Sequence, residues 1–298
     1  MKEALKYHTN CLLCGKATLK NVFGDDHFIT KCTSCSFVFS RVIPSIKKLE
    51  KHYDEYPLEN KVSEITLKRY NEILDLFEPY RQTGRLLEFG CGEGYFLEVA
   101  LKRNWKVVGI EISDKLVKIC KDKNILTYKT LSQIPSDENN KFDMAVSIEV
   151  IEHLNDPKPY MQEINSLLRN GGGLYMTTPN FNCLSRFILG KKWNNIVFPE
   201  HLCYYTVKTM KSMLSLNGFK EIKSQTLGIS PARYKYALLN WKKTKEEAPI
   251  QYDYNEKDRD FRNKMEGNIF LSKIKLLMNS LFNISRLGES LKIFYIKK

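Results

Sequence analysis

Hydrophobic and polar positions run along this chain with two distinct periods. From residue 62 to 80, Ile65, Leu67, Ile73, Leu74, Leu76 and Phe77 are mostly placed to share one broad helical face, which Pro79 and Gly84 terminate. Short apolar stretches of strand length then recur at 86–89, 105–111, 141–147, 174–178, 219–225 and 291–297. Helical patterns separate several of them, at 95–103, at 155–168 and at 206–217, where Thr206 can cap and Gly218 can stop the helix. Strands alternating with helices predict an α/β fold with a doubly wound sheet. Two segments break the rhythm. Residues 179–205 mix aromatics with Arg186, Lys191, Lys192, Trp193 and His201, and read as a lid at the mouth of a cleft. Residues 227–287 read as a helical insertion before the last strand, with a polar stretch at 242–267 and an apolar-rich helix at 268–284 that carries Lys273 and Lys275.

The first 60 residues follow neither period. Cys11-x2-Cys14 is followed, 17 residues on, by Cys32-x2-Cys35. Each pair can sit on a tight turn, and two such turns can converge on one tetrahedral four-thiolate site. The intervening NVFGDDHFIT predicts short strands about a Gly-Asp turn, so residues 1–40 are expected to form a ribbon. So short a segment cannot enclose its own core, and a metal is needed to fold it. Structural Zn2+ is the expected ion, with unligated thiols or an iron–sulfur centre as the alternatives. His8 and His27 lie outside the paired pattern, so no open coordination position is offered. Residues 41–60 hold two prolines and many charges, and read as a connector wrapped over a domain spanning 61–298.

Composition narrows the classes. The chain has 298 residues, room for about two domains. A 43% hydrophobic fraction with 27% charged residues excludes a disordered tail, a collagen-like fibre and a multi-span membrane protein. The formal net charge of +13 attracts anions, whether phosphorylated small molecules, nucleic acid or an acidic membrane face. Cys91, Cys120, Cys183 and Cys203 are scattered, so the eight cysteines are not a disulfide framework. No apolar leader precedes the first pair, and no apolar run is long enough to span a bilayer. The expected location is cytoplasmic, with peripheral membrane contact as a variant of it.

The most informative stretch is Arg85-Leu-Leu-Glu-Phe-Gly-Cys-Gly-Glu-Gly-Tyr95. Gly90, Gly92 and Gly94 make a strand-to-helix turn that lets backbone approach a ligand. Glu111 ends the following strand, where a carboxylate can accept both ribose hydroxyls of an adenosine ligand. Glu93 sits inside the turn and Glu88 just before it, which disfavours a pyrophosphate there and favours an ammonium or sulfonium. An NAD-dependent oxidoreductase on the same layout is the rival reading.

LLEFGCGEGYFLEVA, VVGIEIS, FDMAVSIEVIEHLNDP and LLRNGGGLYMTTPN, in that order across 86–180, resemble the motif set of class I S-adenosylmethionine-dependent methyltransferases with a ubiquinone-type core. The resemblance implies a Rossmann-like sheet of seven strands. It places Glu88, Gly90, Cys91, Gly92, Gly94 and Tyr95 around the methionine part of the cofactor, Glu111 and Ile112 at its ribose, and Glu149 beside it. The acid that relatives carry near the adenine is missing from Tyr128-Lys-Thr-Leu131, so that contact is expected from backbone and Leu131. A four-cysteine prefix before such a core, with PEHLCYYTVKTMKSMLSLNGF behind it, is similar to methyltransferases of sugar and natural-product pathways. The sugar C-methyltransferases with this prefix carry a further carboxy-terminal catalytic domain not found in this sequence, so C-methylation by that route is not expected.

Glu149, Glu152 and His153 follow the strand at 141–147, where a doubly wound sheet binds its ligands. His153 suits a general base at neutral pH, and His201 on the lid is a second candidate. In ubiquinone O-methyltransferases the matching acids and His help hold a divalent ion; here that would be Glu149, Glu152 and His153. A role for Glu152 and His153 in fixing the loop and the cofactor pocket is the third reading and ranks above both the base and the ion. The expected acceptor is a small hydroxylated molecule, anionic or sugar-like (a sugar, nucleotide-sugar or lipid-linked sugar), methylated on oxygen or nitrogen. The helix at 268–284 is expected to pack on the core or on a second copy, with a membrane surface as its alternative. RNA methylation and nucleic-acid binding rank low, because the cations are dispersed and no NPPY- or DPPY-like element follows the fourth strand.

Overall fold

The chain opens with five short strands: β1 (Lys6–Tyr7), β2 (Leu19–Asn21), β3 (Ile29–Cys32), β4 (Val38–Ser40) and β5 (Val42–Ile43). They belong to a computed structural model that describes residues 6–23, 28–45, 62–138, 140–229 and 268–298, with positions 49, 54, 58, 231, 234, 235 and 239 between them. His27 and the polar stretch 242–267 lie outside the described residues, as does most of the proposed connector. β2, β3 and β4 pair antiparallel, forming the expected ribbon, while β1 pairs with β5.

From residue 64 the helix–strand alternation is realised. Helix α1 (Glu64–Phe77) begins at Ser63, whose hydroxyl accepts from the Thr66 N–H, and buries Ile73, Leu74 and Phe77. Then come β6 (Arg85–Phe89), α2 (Tyr95–Lys102), β7 (Lys106–Ile110), α3 (Asp114–Asp122), β8 (Leu126–Tyr128), β9 (Phe142–Ile148), α4 (Pro157–Leu167) and β10 (Leu168–Pro179). The remaining elements are α5 (Leu184–Leu189), β11 (Cys203–Tyr204), α6 (Val207–Leu216), β12 (Phe219–Leu227), α7 (Ile269–Ser285) and β13 (Ser290–Lys297).

Seven strands form one sheet in the order β12-β13-β10-β9-β6-β7-β8. β8, β7, β6, β9 and β10 are parallel, and β13 runs antiparallel between β10 and β12. The chain winds outward from β6 in both directions, so a crevice opens beyond the carboxyl ends of β6 and β9. Buried side chains cover both faces. One layer joins Ile73, Phe77, Phe96 and Trp105, and the other joins Met161, Ile164, Met210 and Met213. At the opposite end of β9, buried Asp143 accepts from the N–H groups of Gln82, Thr83 and Gly84 and pairs with Arg169 at 2.6 Å. Burial opposes its charge, but these donors hold its carboxyl below the usual range.

Two features differ from the sequence pattern. The fifth core strand starts at Leu168, six residues ahead of the expected Leu174, with a register shift against β9 between Leu168 and Gly173. Residues 169–172 therefore form an irregularity inside the strand, where the sequence pattern left a gap between the helix at 155–168 and the strand at 174–178. A Cβ at Gly172 would stand 2.8 Å from the Arg169 carbonyl oxygen, and one at Gly173 would stand 2.6 Å from Met144, so the glycines let the chain stay in the sheet. Second, β11, at the end of the lid, pairs with β4 of the ribbon. Ribbon residues Phe37 and Phe39 join Tyr205 in the same buried cluster as the sheet and α6.

Candidate active site

The glycine turn sits where β6 hands over to α2. Gly90, Gly92 and Gly94 all have positive φ, between 54° and 76°. At Gly90 a Cβ would lie 2.5 Å from Val150, on the loop after β9, so only glycine fits. At Gly92 a Cβ would meet nothing within 4 Å, which leaves open space over the backbone where a ligand could lie. Glu111 closes the turn from β7: its carboxylate accepts from the N–H groups of Gly92 at 2.9 Å and Ser113 at 3.0 Å. Burial pushes its carboxyl up against those bonds. Ser113 also donates to Asp54 at 2.6 Å, which ties one described residue of the connector to this corner.

Glu88 lies one strand position before Phe89, opposite Gly109 on β7 and Val146 on β9. It is buried, and its Oε2 has no hydrogen-bond partner. Burial, followed by the charges of Cys120 and Glu111, raises its carboxyl well above the usual range. A buried acid with an unmet oxygen suits a cationic donor.

A cavity of about 1330 Å³ extends from this corner. Its walls include Gly90, Glu111 and Ile112 together with Glu152, His153 and His201. Glu149, on the backbone at φ 54°, accepts from the Thr177 hydroxyl at 2.7 Å. Glu152 is 2% exposed; its Oε2 accepts from Thr178 at 2.9 Å, and its Oε1 has no hydrogen-bond partner. Burial and then the Glu149 charge push the Glu152 carboxyl well up. His153 Nδ1 lies 2.8 Å from the Glu200 carbonyl oxygen, and His201 Nδ1 lies 2.8 Å from that of Asn195. A carbonyl can only accept, so each Nδ1 carries the proton. Burial, then the His201 charge, lowers His153 to about 4, so its ring is neutral at pH 7 with an unprotonated Nε2. That nitrogen lies 3.9 Å from Glu152 Oε1.

The structure therefore brings His201 to Glu152 and His153, and one ligand atom from each lies within 4.8 Å of the others. Glu149, the third residue of the alternative ion set, bonds Thr177 and also stands beside the Glu152 carboxyl. Three further expectations change. Leu131 starts a short 3-10 turn and packs on the central core, not on the cavity wall. Cys91 turns its thiol inward, 3.9 Å from Cys120 and under Gly109, and Tyr95 donates to Glu93. Arg186 bonds the Phe181 carbonyl oxygen and stacks on Phe181 and Phe187 instead of reaching the cavity. The Lys192 side chain lies outside what is described.

In the ribbon, Cys11 and Cys35 sulfurs lie 3.5 Å apart, Cys14 and Cys32 sulfurs 3.6 Å apart, and all four fall within 4.8 Å of one another. Zinc–sulfur bonds of about 2.3 Å imply tetrahedral edges of about 3.8 Å, so these thiols fit such an ion.

A family described as "Methyltransferase domain" matches residues 63–224, more than half of the chain. The chain belongs to this methyltransferase family. Among curated proteins it is similar to a "Ubiquinone biosynthesis O-methyltransferase" of Pelagibacter ubique, 28% identical over 153 residues. That match covers 45% of this chain and 64% of the relative, so the chain spans less than two thirds of the relative's length. Among solved structures, a SAM dependent methyltransferase from Archaeoglobus fulgidus has a TM-score of 0.51 at 19% identity, covering 85% of this chain and 100% of that one. The [4+2]-cyclase SpnF has a TM-score of 0.52 at 14% identity, covering 85% and 96%. These likenesses show the class I methyltransferase fold, and the second shows that the fold hosts other chemistry.

Several residues lining this methyltransferase-family cavity escaped the sequence reading. Arg69 comes from α1 and Lys292 from β13, whereas Tyr160 comes from α4. Burial, followed by the Arg69 charge, lowers Lys292 to about 8. Nothing in local spacing marks them, since only the antiparallel return of β13 beside β10 brings Lys292 opposite Thr177.

Proposed function

We propose that the protein is an S-adenosylmethionine-dependent methyltransferase that alkylates an oxygen or nitrogen of a small hydroxylated acceptor. The observation that carries the reading is a single cavity joining Gly90 and Glu111 to Glu152, His153 and His201. Bound there, S-adenosylmethionine would supply an electrophilic methyl group on a sulfonium. Glu111 would hold the ribose hydroxyls, the backbone of Gly90–Gly94 would lie under the methionine part, and Glu88 would meet its ammonium. Glu149 and Ile112 would border the same ligand. His153 Nε2 would take the acceptor's proton as the new bond forms, with the Glu200 carbonyl fixing the ring through Nδ1. Catalysis rests on orientation and exclusion of water. The cations of the lining, Lys68, Arg69, Lys275 and Lys292, are offset by a larger number of carboxylates, which favours a neutral, sugar-like acceptor over a polyanion.

Glu152, His153 and His201 carry a second reading. An unmet buried carboxylate oxygen, with both Nδ1 atoms committed to carbonyls, is also a donor set for a divalent ion. Turnover by protein treated with chelator and reloaded with one equivalent of Zn2+ at the ribbon, before and after Mg2+ or Mn2+ is restored, separates ion from base. The ribbon thiols would hold a structural Zn2+ in the same account. For the base, His153→Ala is expected to lower kcat by about 10²-fold or more while S-adenosylhomocysteine affinity stays unchanged. If His153→Ala and His201→Ala both keep full turnover, neither ring is the base.

A further inference from the structure

Helix α7 has two unlike sides. Ser272, Asn279 and Phe282 line the cavity, and Leu276 stands at its rim, 68% exposed. On the other side Phe270, Ile274, Leu277, Leu281 and Ile284 follow one another at steps of four and three residues. At 100° per residue they fall within an arc of about 80°. Their exposures are 68, 36, 64, 59 and 77%, so an unbroken apolar stripe faces outward along the whole helix. A further pair of exposed apolar side chains lies on the lid. The Leu184 N–H donates to the Leu287 carbonyl oxygen, which sets the start of lid helix α5 beside the end of α7. There Phe187 and Ile188 are 56 and 54% exposed.

We propose that this face is a docking surface for an anionic lipid bilayer, seating the mouth of the cavity against the membrane. Charge selects the occupant. α7 contains no Asp or Glu, Lys273 flanks the stripe, and the chain carries +13 overall. A pair of such helices from two copies would have no acid to meet the lysines beside their seam, whereas acidic headgroups would. With Leu276 at the rim, an acceptor carried on a lipid reaches the cavity without leaving the surface. That last step rests on the methyltransferase reading; the docking itself does not.

Sedimentation of the full-length protein with vesicles of phosphatidylcholine, alone or mixed with phosphatidylglycerol, tests the surface. Binding is expected to the mixed vesicles, to weaken with salt, and to fall about tenfold or more in Leu277→Glu/Leu281→Glu. The variant's thermal transition and S-adenosylhomocysteine affinity should match those of the unaltered protein. No binding by folded protein that takes up S-adenosylhomocysteine overturns docking while leaving methyl transfer standing. Light scattering showing a dimer that the double variant dissociates, without vesicle binding, assigns the face to a second copy and overturns the proposal. A lowered thermal transition in that variant, with vesicle binding unchanged or absent, means the stripe is packed within the protein and overturns it as well.

Discussion

At the scale of single residues the account turns on two acids and an imidazole. Glu111 bonds the glycine turn and is proposed to hold the ribose, so Glu111→Ala removes charge-assisted bonds worth about 2 kcal/mol. S-adenosylhomocysteine affinity, measured by calorimetry, should fall about 10- to 100-fold. The pH dependence follows from His153. In the proposed role as base its neutral ring is the competent form, and its value of about 4 in the folded protein lies below the ordinary 6.5. kcat should therefore hold as pH falls through 6.5 and drop only as it approaches 4. The same shift makes the fold less stable in acid: the stability is fully present above 6.5 and is lost between 6.5 and 4 as the unfolded chain takes the proton first. A profile of kcat breaking near 6.5 in the unaltered enzyme, and absent in His153→Ala, would contradict the burial of this ring. His153 and Glu152 were legible because the loop after a core strand is where this topology binds ligands. Leu131 and Arg186 misled because their types suited the expected ligand, while packing turned one into the core and the other onto Phe181 and Phe187.

At the scale of elements the ribbon and the active site form one structure. β11 pairs with β4, the Ser40 N–H donates to the Leu202 carbonyl, and the Leu202 N–H donates to that of Glu152. The cysteine cage is thus linked through two short strands to the segment holding Glu200 and His201. Removing the metal, or substituting Cys32→Ser, should do more than unfold the ribbon. It should lower kcat in proportion to metal lost, while S-adenosylhomocysteine affinity declines much less. Parallel metal analysis, turnover and calorimetry on one chelator series would test this, and unchanged turnover in metal-free protein would contradict it. The Cys spacing showed the ribbon and the strand–helix alternation showed the sheet, since both are local patterns. The β4–β11 pairing joins residues some 160 positions apart, and two-residue strands have no periodicity to read. The early start of β10 was hidden for the opposite reason: its glycine run has the composition of a turn, yet close approach to Met144 uses it inside a strand.

At the scale of the whole molecule, seven strands wound outward from β6 create one crevice, lined further by α7 and by Asn195, Glu200 and His201. Among the described residues no helix is long and apolar enough to cross a membrane, so the bilayer contact proposed for α7 is a surface contact. Titration of S-adenosylhomocysteine into folded, zinc-replete protein in a calorimeter tests the account most directly. It predicts saturable one-to-one binding that Glu111→Ala weakens. A flat titration from protein that retains its thermal transition would contradict it.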